Sequence, residues 1–306
     1  MTTPNRTLLQ KADLDLATLT TDGGLLNDQQ ADRFIRLAIK QSVLLGQVNV
    51  TPMNGPTAER DKIRFSGRVL QPGSEATALP LAQRSKPDLS KIRLTAELFK
   101  AEVRMSDEVL EDNIERGNFR ETVMTSLSAA VARDIEFVAV QGDTASGNPL
   151  LAVLDGYLKQ ATANIVNAAA ANLTKSILHD MLKSLPDEFG GVEKLRYYTN
   201  RQARLDYRDS LADRATLLGD MMITQRDTTV YQDMPVVYVP EFPNSGTTNV
   251  LLTDPMNLMV GFHRKIKIET DRDVSALTNI IVASIRFDVK IVEVDAVSKA
   301  INVATT

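Results

Sequence analysis

Cysteine and tryptophan are absent from this 306-residue chain, and histidine occurs only at His179 and His263. Without cysteine there is no disulfide frame, no thiolate nucleophile and no sulfur-ligated metal. His179 lies in a helical stretch and His263 stands beside Arg264 and Lys265. Neither has a partner at the spacing that metal ligation or nucleophilic catalysis needs, so both read as structural or surface residues. No HExxH, GxSxG or GxGxxG pattern occurs, and nothing in the chain looks catalytic or calls for a cofactor. The opening stretch MTTPNRTLLQKADLDLATLTTDGG lacks the apolar run of a signal peptide, and nowhere do the ~18 consecutive apolar residues of a transmembrane helix stand together. A soluble, intracellular chain without membrane contact is expected.

Hydrophobic residues make up 43% of the sequence and charged residues 24%, a profile that excludes wholesale disorder or a collagen-like repeat. The length allows a sizeable core and sets a prior of about two domains. A net charge of -4 argues against a protein whose whole surface grips nucleic acid, although a local basic patch stays open. The best candidate patch, HRKIK at 263–267 with Arg272, is followed at once by acids at Glu269, Asp271 and Asp273, which makes it a mixed, solvated or interfacial face. The cluster Asp107, Glu108, Glu111 and Asp112 could hold a hard metal, but acids complementing a helix dipole are the commoner use of such a cluster. No metal is expected.

Along the chain, residues 1–23 are rich in Thr and Asp with scattered leucines, the pattern of an arm that is ordered only against something else. A helix is expected after Asn27, with Asp28 in its first turn and Ala31, Phe34, Ile35, Ala38 and Ile39 forming one stripe before Gly46. Two strands follow, one alternating Ile63 and Phe65 against Lys62, Arg64 and Ser66. The other begins at Ile92 and Leu94 and changes phase near Leu98, continuing through Phe99, Ala101, Val103 and Met105. Between them, residues 66–90 carry Pro72, Gly73, Pro80 and Pro87 and no periodic pattern. So long a loop is uncommon inside a compact domain; flanked by strands that can pair, it reads as a two-stranded projection that gains most by lying on another subunit.

Ser106 is placed to cap a helix, and Asn118 with Glu121 has capping-box spacing. From Phe119 through Val123, Leu127, Ala130, Val131, Ile135 and Val138 the apolar residues keep helical period, predicting a long spine helix that ends at Gly142. A second helix is expected over 174–185, with Ile177, Leu178, Met181, Leu182 and Leu185 on one face and Pro186 to stop it. KLRYYTN and MPVVYVP are strand candidates around the helical RQARLDYRDSLADRA, predicting an α/β subdomain between about 165 and 255. Beyond it the chain is rich in β-branched residues, and Phe287, Val289, Ile291 and Val292 belong to a long strand expected to pair with the strands around 92–105.

The octapeptide GDTASGNP, 142–149, has the glycine spacing of a phosphate-binding loop. That chemistry needs a lysine and then a hydroxyl after the second glycine, and Asn148 and Pro149 stand there instead. The stretch also follows a helix, whereas a phosphate loop follows a strand. It reads as a turn.

Taken in order, DGGLLNDQQADRFI, the strand-bounded projection, AEVRMSDEVLEDN, the spine helix ending FVAVQGD, SGNPLLAVLDGYL, QDMPVVYVPEFP, LLTDPMNLMVGFHRKIKIETDRD and SIRFDVKIVEVDAVSKA resemble the major capsid proteins of tailed bacteriophages, with the Hong Kong ninety-seven type fold. The resemblance implies an α+β chain: an N-terminal arm with a short helix over 1–50, an extended β-hairpin loop over 51–98, and a peripheral domain with the spine helix over 99–164. An axial α/β domain over 165–255 and C-terminal strands returning to the peripheral domain over 256–306 complete it. It further implies a non-enzymatic coat protein that self-assembles into hexamers and pentamers of an icosahedral head shell enclosing double-stranded DNA held by loose contact. Scaffolding, portal and decoration proteins would be its partners, and the virion its location after assembly in the bacterial host cytoplasm. An encapsulin-like nanocompartment shell is the alternative. About twenty residues precede Gly23, fewer than the cleaved scaffolding segment of some relatives, so a separate scaffold or a mature chain is expected. Some relatives cross-link a projection lysine to a neighbour's asparagine; Lys86 lies in the projection, but the other partners have no matching motif, so that activity is not carried over. Arg68, Arg84 and Lys86 are the expected contact residues.

Overall fold

The computed structural model describes residues 42–65, 68–73, 75, 78–106, 119–191, 193–212 and 229–305. The helix expected from Asn27 and the acid cluster 107–112 lie outside them.

Strict alternation builds the first sheet. In β11, Thr278–Ile291, Ile281, Ala283, Ile285 and Phe287 are buried while the residues between them are only partly so, as a strand with one face on a core requires. β11 is central in a four-stranded sheet of order β1-β10-β11-β4, with β1 Asn49–Pro52, β4 Glu97–Ser106 and β10 Leu258–Asp273. β1 runs parallel to β10, and the other pairings are antiparallel. The spine helix α1, Phe119–Gln141, lies on this sheet. Its Leu127, Val131, Ile135 and Val138 share one buried cluster with Ile281, Ala283, Ile285 and Phe287, and Phe99 of β4 stacks on Phe287 with ring centroids 4.7 Å apart. Removing these apolar surfaces from water is the main source of the stability of this layer.

The second sheet has six strands in the order β5-β12-β9-β6-β8-β7: β5 Ile165–Asn167, β6 Arg196–Thr199, β7 Val230–Tyr231, β8 Met234–Tyr238, β9 Thr247–Thr253 and β12 Ser298–Ala304. A one-turn helix, α2 Tyr157–Gln160, precedes β5, and two longer helices, α3 Lys175–Ser184 and α4 Arg201–Ala212, belong to this half. The stripe expected on α3 is buried at Ile177, Leu178 and Met181 against Tyr197, Val250, Leu252 and Val303. Tyr197 sends its hydroxyl to the Leu178 carbonyl at 2.9 Å, so the buried phenol keeps a partner.

One element departs from the expected course. The strands after residue 256 do not all return to the first sheet: β10 and β11 do, whereas β12 crosses to the second and pairs with β9 and β5. The reason is local. A turn of 3-10 helix at Val294–Ala296 redirects the chain, and the fully buried Ala300 and Val303 complete the second core.

The projection is a two-stranded ribbon. β2, Thr57–Arg64, pairs antiparallel with β3, Asp88–Thr95, in unbroken register from Thr57 opposite Thr95 to Arg64 opposite Asp88. At its foot the Ala96 amide donates to the Pro56 carbonyl at 2.8 Å. Leu94, wholly buried, plugs a small cluster with Met53 and Met259. β3 buries an even-numbered residue and β4 turns the odd-numbered Phe99, Ala101 and Val103 inward; this one-residue slip at Ala96 is the phase change seen near Leu98, because a shift of one exchanges the faces of a strand.

Candidate assembly surfaces

The hairpin is where the chain exposes what a folded protein ordinarily covers. Ile63 and Leu89 are cross-strand partners and both lie open, at 66% and 73% exposure. Beyond them Leu70 is 94% exposed and Leu81 81%. Four large apolar side chains left open on one projection make it a candidate interaction surface. Arg68, Arg84 and Lys86 lie in the same linking segment, all exposed, with Arg84 Nε donating to the Leu79 carbonyl at 3.1 Å. Residues 57–95 hold eight basic and four acidic side chains, and the whole chain carries -4. The hairpin is therefore at +4 and everything else at -8, a separation that favours contact between the hairpin of one copy and the body of another.

A shallow apolar groove runs between α1, β4 and β11, lined by Phe99, Val131, Ile135, Leu150 and Ile285 with one acid, Asp134, and one base, Lys100, among them. Its apolar floor makes it a candidate receiver for a leucine-bearing hairpin.

Two anchorages hold the hairpin to its own body. At its foot the Asp288 carboxylate accepts the Thr95 amide at 2.7 Å. Asp288 is buried, and burial raises its pKa against the opposing pull of the amides of Thr95 and Val289. Further out, Lys62 pairs with Glu293. Arg64 Nη2 meets Glu188 Oε2 at 2.5 Å, and Arg64 Nη1 lies 3.6 Å from both Glu293 and Asp295. The Arg64 guanidinium also stands over the Phe189 ring, 5.1 Å from its centroid.

The segment entering β1 is tied to three elements. Leu44, Leu45 and Val48 are buried in the core of the first sheet. Glu136, in the C-terminal part of α1 and 3% exposed, accepts the Leu44 amide at 2.6 Å. Burial raises the Glu136 pKa, and the donors on Leu44, Ser42 and Val43 pull it back. Gln47 Oε1 accepts from Arg196 Nη1 at 2.7 Å and from the Tyr198 hydroxyl at 3.1 Å, reaching the second sheet. A carboxylate inside the otherwise apolar IEFVAV was the one signal in the sequence for this joint. The ion pairs of Lys62 and Arg64 had none, because their partners lie 124 or more residues away.

The octapeptide 142–149 is a turn whose donors are occupied. The Asp143 amide bonds the Leu151 carbonyl at 3.0 Å and the Thr144 amide the Asp155 carboxylate at 3.0 Å. The amides of Ala145 and Ser146 both turn back to Asp143, at 2.9 and 2.8 Å. No array of free N–H groups is left there for an anion. Gly142 is needed for closeness: a Cβ on it would stand 2.5 Å from the Leu154 carbonyl oxygen and 2.9 Å from the Gly156 nitrogen. His179 and His263 each leave Nδ1 buried without a hydrogen-bond partner. Among the described residues no group of three or more His, Asp or Glu could hold a metal, and no helix is long and apolar enough to cross a membrane.

A spine helix on one sheet, a projecting hairpin and a second, mixed sheet with its own helices define the Hong Kong ninety-seven type fold. A chain from the satellite phage P4 procapsid that includes the size determination (Sid) protein superposes with a TM-score of 0.70 at 14% identity, covering 99% of this chain and 98% of that one. The SrpI encapsulin of Synechococcus elongatus PCC 7942 superposes with 0.58 at 11% identity, covering 86% and 88%.

The sequence itself carries the matter from fold to family. Residues 22–300 match the phage capsid family, and the chain belongs to it. YqbE of Bacillus subtilis (strain 168), described as a prophage capsid protein, is 34% identical over 309 residues, covering 98% of this chain and 99% of that one. This is a capsid shell protein, made to associate with copies of itself.

Proposed function

We propose that this chain is the major coat protein of a phage or prophage head, forming hexamers and pentamers of an icosahedral shell around double-stranded DNA. The observation that carries the reading is the hairpin: a ribbon with exposed leucines and a charge of +4 on a body at -8 is a surface made for a neighbouring copy. Contacts that join one patch to a different patch on the next copy generate rings, and rings close into shells. In this reading residues 1–50 are the arm, 51–98 the extended loop, 99–164 the peripheral domain, 165–255 the axial domain, and 256–306 the closing strands, the last of which joins the axial sheet. Arg68, Arg84 and Lys86 make the electrostatic contacts, and the groove beside α1 receives the hairpin of the adjacent copy.

The chain does no chemistry; its function is geometry. Scaffolding, portal and decoration proteins are its partners; the P4 procapsid structure likewise includes a size determination protein. Assembly takes place in the host cytoplasm, and the net acidity of the body leaves the DNA held loosely. The sequence relation to a prophage capsid protein across nearly the whole chain favours this over a nanocompartment, for which the fold likeness alone speaks. The test is triple reversal, Arg68→Glu, Arg84→Glu and Lys86→Glu. These side chains are exposed, so the variant is expected to fold as the wild type does and to lose assembled particles. Particles formed in wild-type yield would remove the three residues from the interface.

A further inference from the structure

The hairpin's outer anchorage differs in kind from its foot. The foot is a buried plug, with Leu94 between Met53 and Met259 and Asp288 on the Thr95 amide. The outer anchorage is ionic: Lys62 and Arg64, on alternate residues of β2 and so on one face, meet Glu188, Glu293 and Asp295. Glu188 follows α3, and Glu293 and Asp295 lie on the turn before β12, so all three acids belong to the connections of the second sheet. Lys62 and Glu293 are largely covered, with side chains 23% and 15% exposed. Glu188 and Asp295 stand at 57% and 60%, within reach of salt and water.

We infer that Lys62 and Arg64 with Glu188, Glu293 and Asp295 form a salt-sensitive lock that fixes the angle of the hairpin to its own body. A ribbon fixed only at its foot has a hinge at Ala96, where β3 ends and β4 begins. A second, ionic attachment further along the ribbon removes that freedom while it holds. Exposed ion pairs are weak singly and weaken further in salt, so the Arg64 pairs with Glu188 and Asp295 give way first and the more covered pair of Lys62 with Glu293 at higher salt, under conditions that leave the Leu94 plug intact. Five charges and the Phe189 ring in one place make it a network. Its use in assembly, letting one chain present the hairpin at the different angles that rings of five and six copies require, rests on the shell reading above; the lock itself is a property of the single chain.

The absence of cysteine makes the test direct. Gln83→Cys, exposed in the segment that links β2 to β3, and Lys183→Cys on α3 take two spin labels, and labelled chain is diluted into unlabelled chain so that only intramolecular distances are read. At low salt a single narrow distance is expected, broadening at about 1 M NaCl, where the screening length is about 3 Å. Arg64→Met and Glu293→Gln, each in the labelled background, are expected to be broad at low salt already, while Lys91→Met, which breaks the exposed Lys91 to Glu59 pair within the ribbon, stays narrow. The lock is refuted if the two lock variants keep the narrow wild-type distance with unchanged circular dichroism, or if the wild type is broad at low salt. Neither outcome depends on particles forming, so the result stands apart from the shell reading.

Discussion

Replacing Glu136 with alanine tests how the entering segment is held. The Leu44 amide, 92 positions earlier in the chain, donates to Glu136 Oε1 at 2.6 Å. Without it, at least one backbone N–H stays buried and unpaired, at a cost of about 1–3 kcal/mol. Loss of the buried carboxylate's own desolvation cost offsets part of that, so a net destabilisation of about 1 kcal/mol is expected near neutral pH. The pH dependence gives an independent handle. Burial raises the native pKa of Glu136 above the ordinary glutamate range, so over the interval between the two values the folded chain binds more protons than the unfolded one. Stability from this group is therefore full below the ordinary range and falls as pH rises through the raised value. Asp288 slopes the same way, which is why the comparison must be with Glu136→Gln: the variant removes Glu136's share of the slope and leaves the rest. Urea unfolding of the unassembled chain at several pH values, with amide exchange at Leu44, reads both effects. An unchanged midpoint in Glu136→Ala with Leu44 still protected would refute the reasoning.

Gly142→Ala forces a methyl to within 2.5 Å of a backbone oxygen and is expected to cost about 1–3 kcal/mol or more, seen as a lowered melting temperature or loss of soluble chain. Leu94→Ala empties the plug at the hairpin's foot and is expected to cost about 2–5 kcal/mol in urea unfolding, with faster amide exchange at the foot of the ribbon. Leu70→Asp, at a position 94% exposed, is expected to leave the unassembled chain within about 0.5 kcal/mol of wild type while lowering particle yield; a destabilised monomer would place Leu70 in the chain's own core instead.

Legibility in the sequence followed the range of the physics. Where one face of an element meets one core, periodicity was enough: the α1 residues Leu127, Val131, Ile135 and Val138 and the β4 residues Phe99, Ala101, Val103 and Met105 lie inward as their spacing predicts. Even the phase change near Leu98 was a true signal, because a strand that leaves one sheet for another must change its inward face. The crossing of β12 was not legible, since SKAINVA suits either sheet and the choice is made by a turn and by Ala300 and Val303 meeting a core built 50 and more residues earlier. Charged contacts were the least readable. Arg68, Arg84 and Lys86 are expected between subunits because they lie in the projection; the contacts within the chain are carried by Lys62 and Arg64, two charges in an alternating strand. Nothing local in DKIRFSG distinguishes a solvated arginine from one whose partners are Glu188 and Asp295.

The central claim is that this chain builds shells, and the most direct measurement is electron microscopy of the purified wild-type protein, alone and co-expressed with its neighbouring assembly genes. Light scattering on the same fractions would give the mass. Closed particles, or rings of five and six copies that close on adding the partner, are the predicted result. A homogeneous monomer at every concentration, with and without those partners, would contradict it.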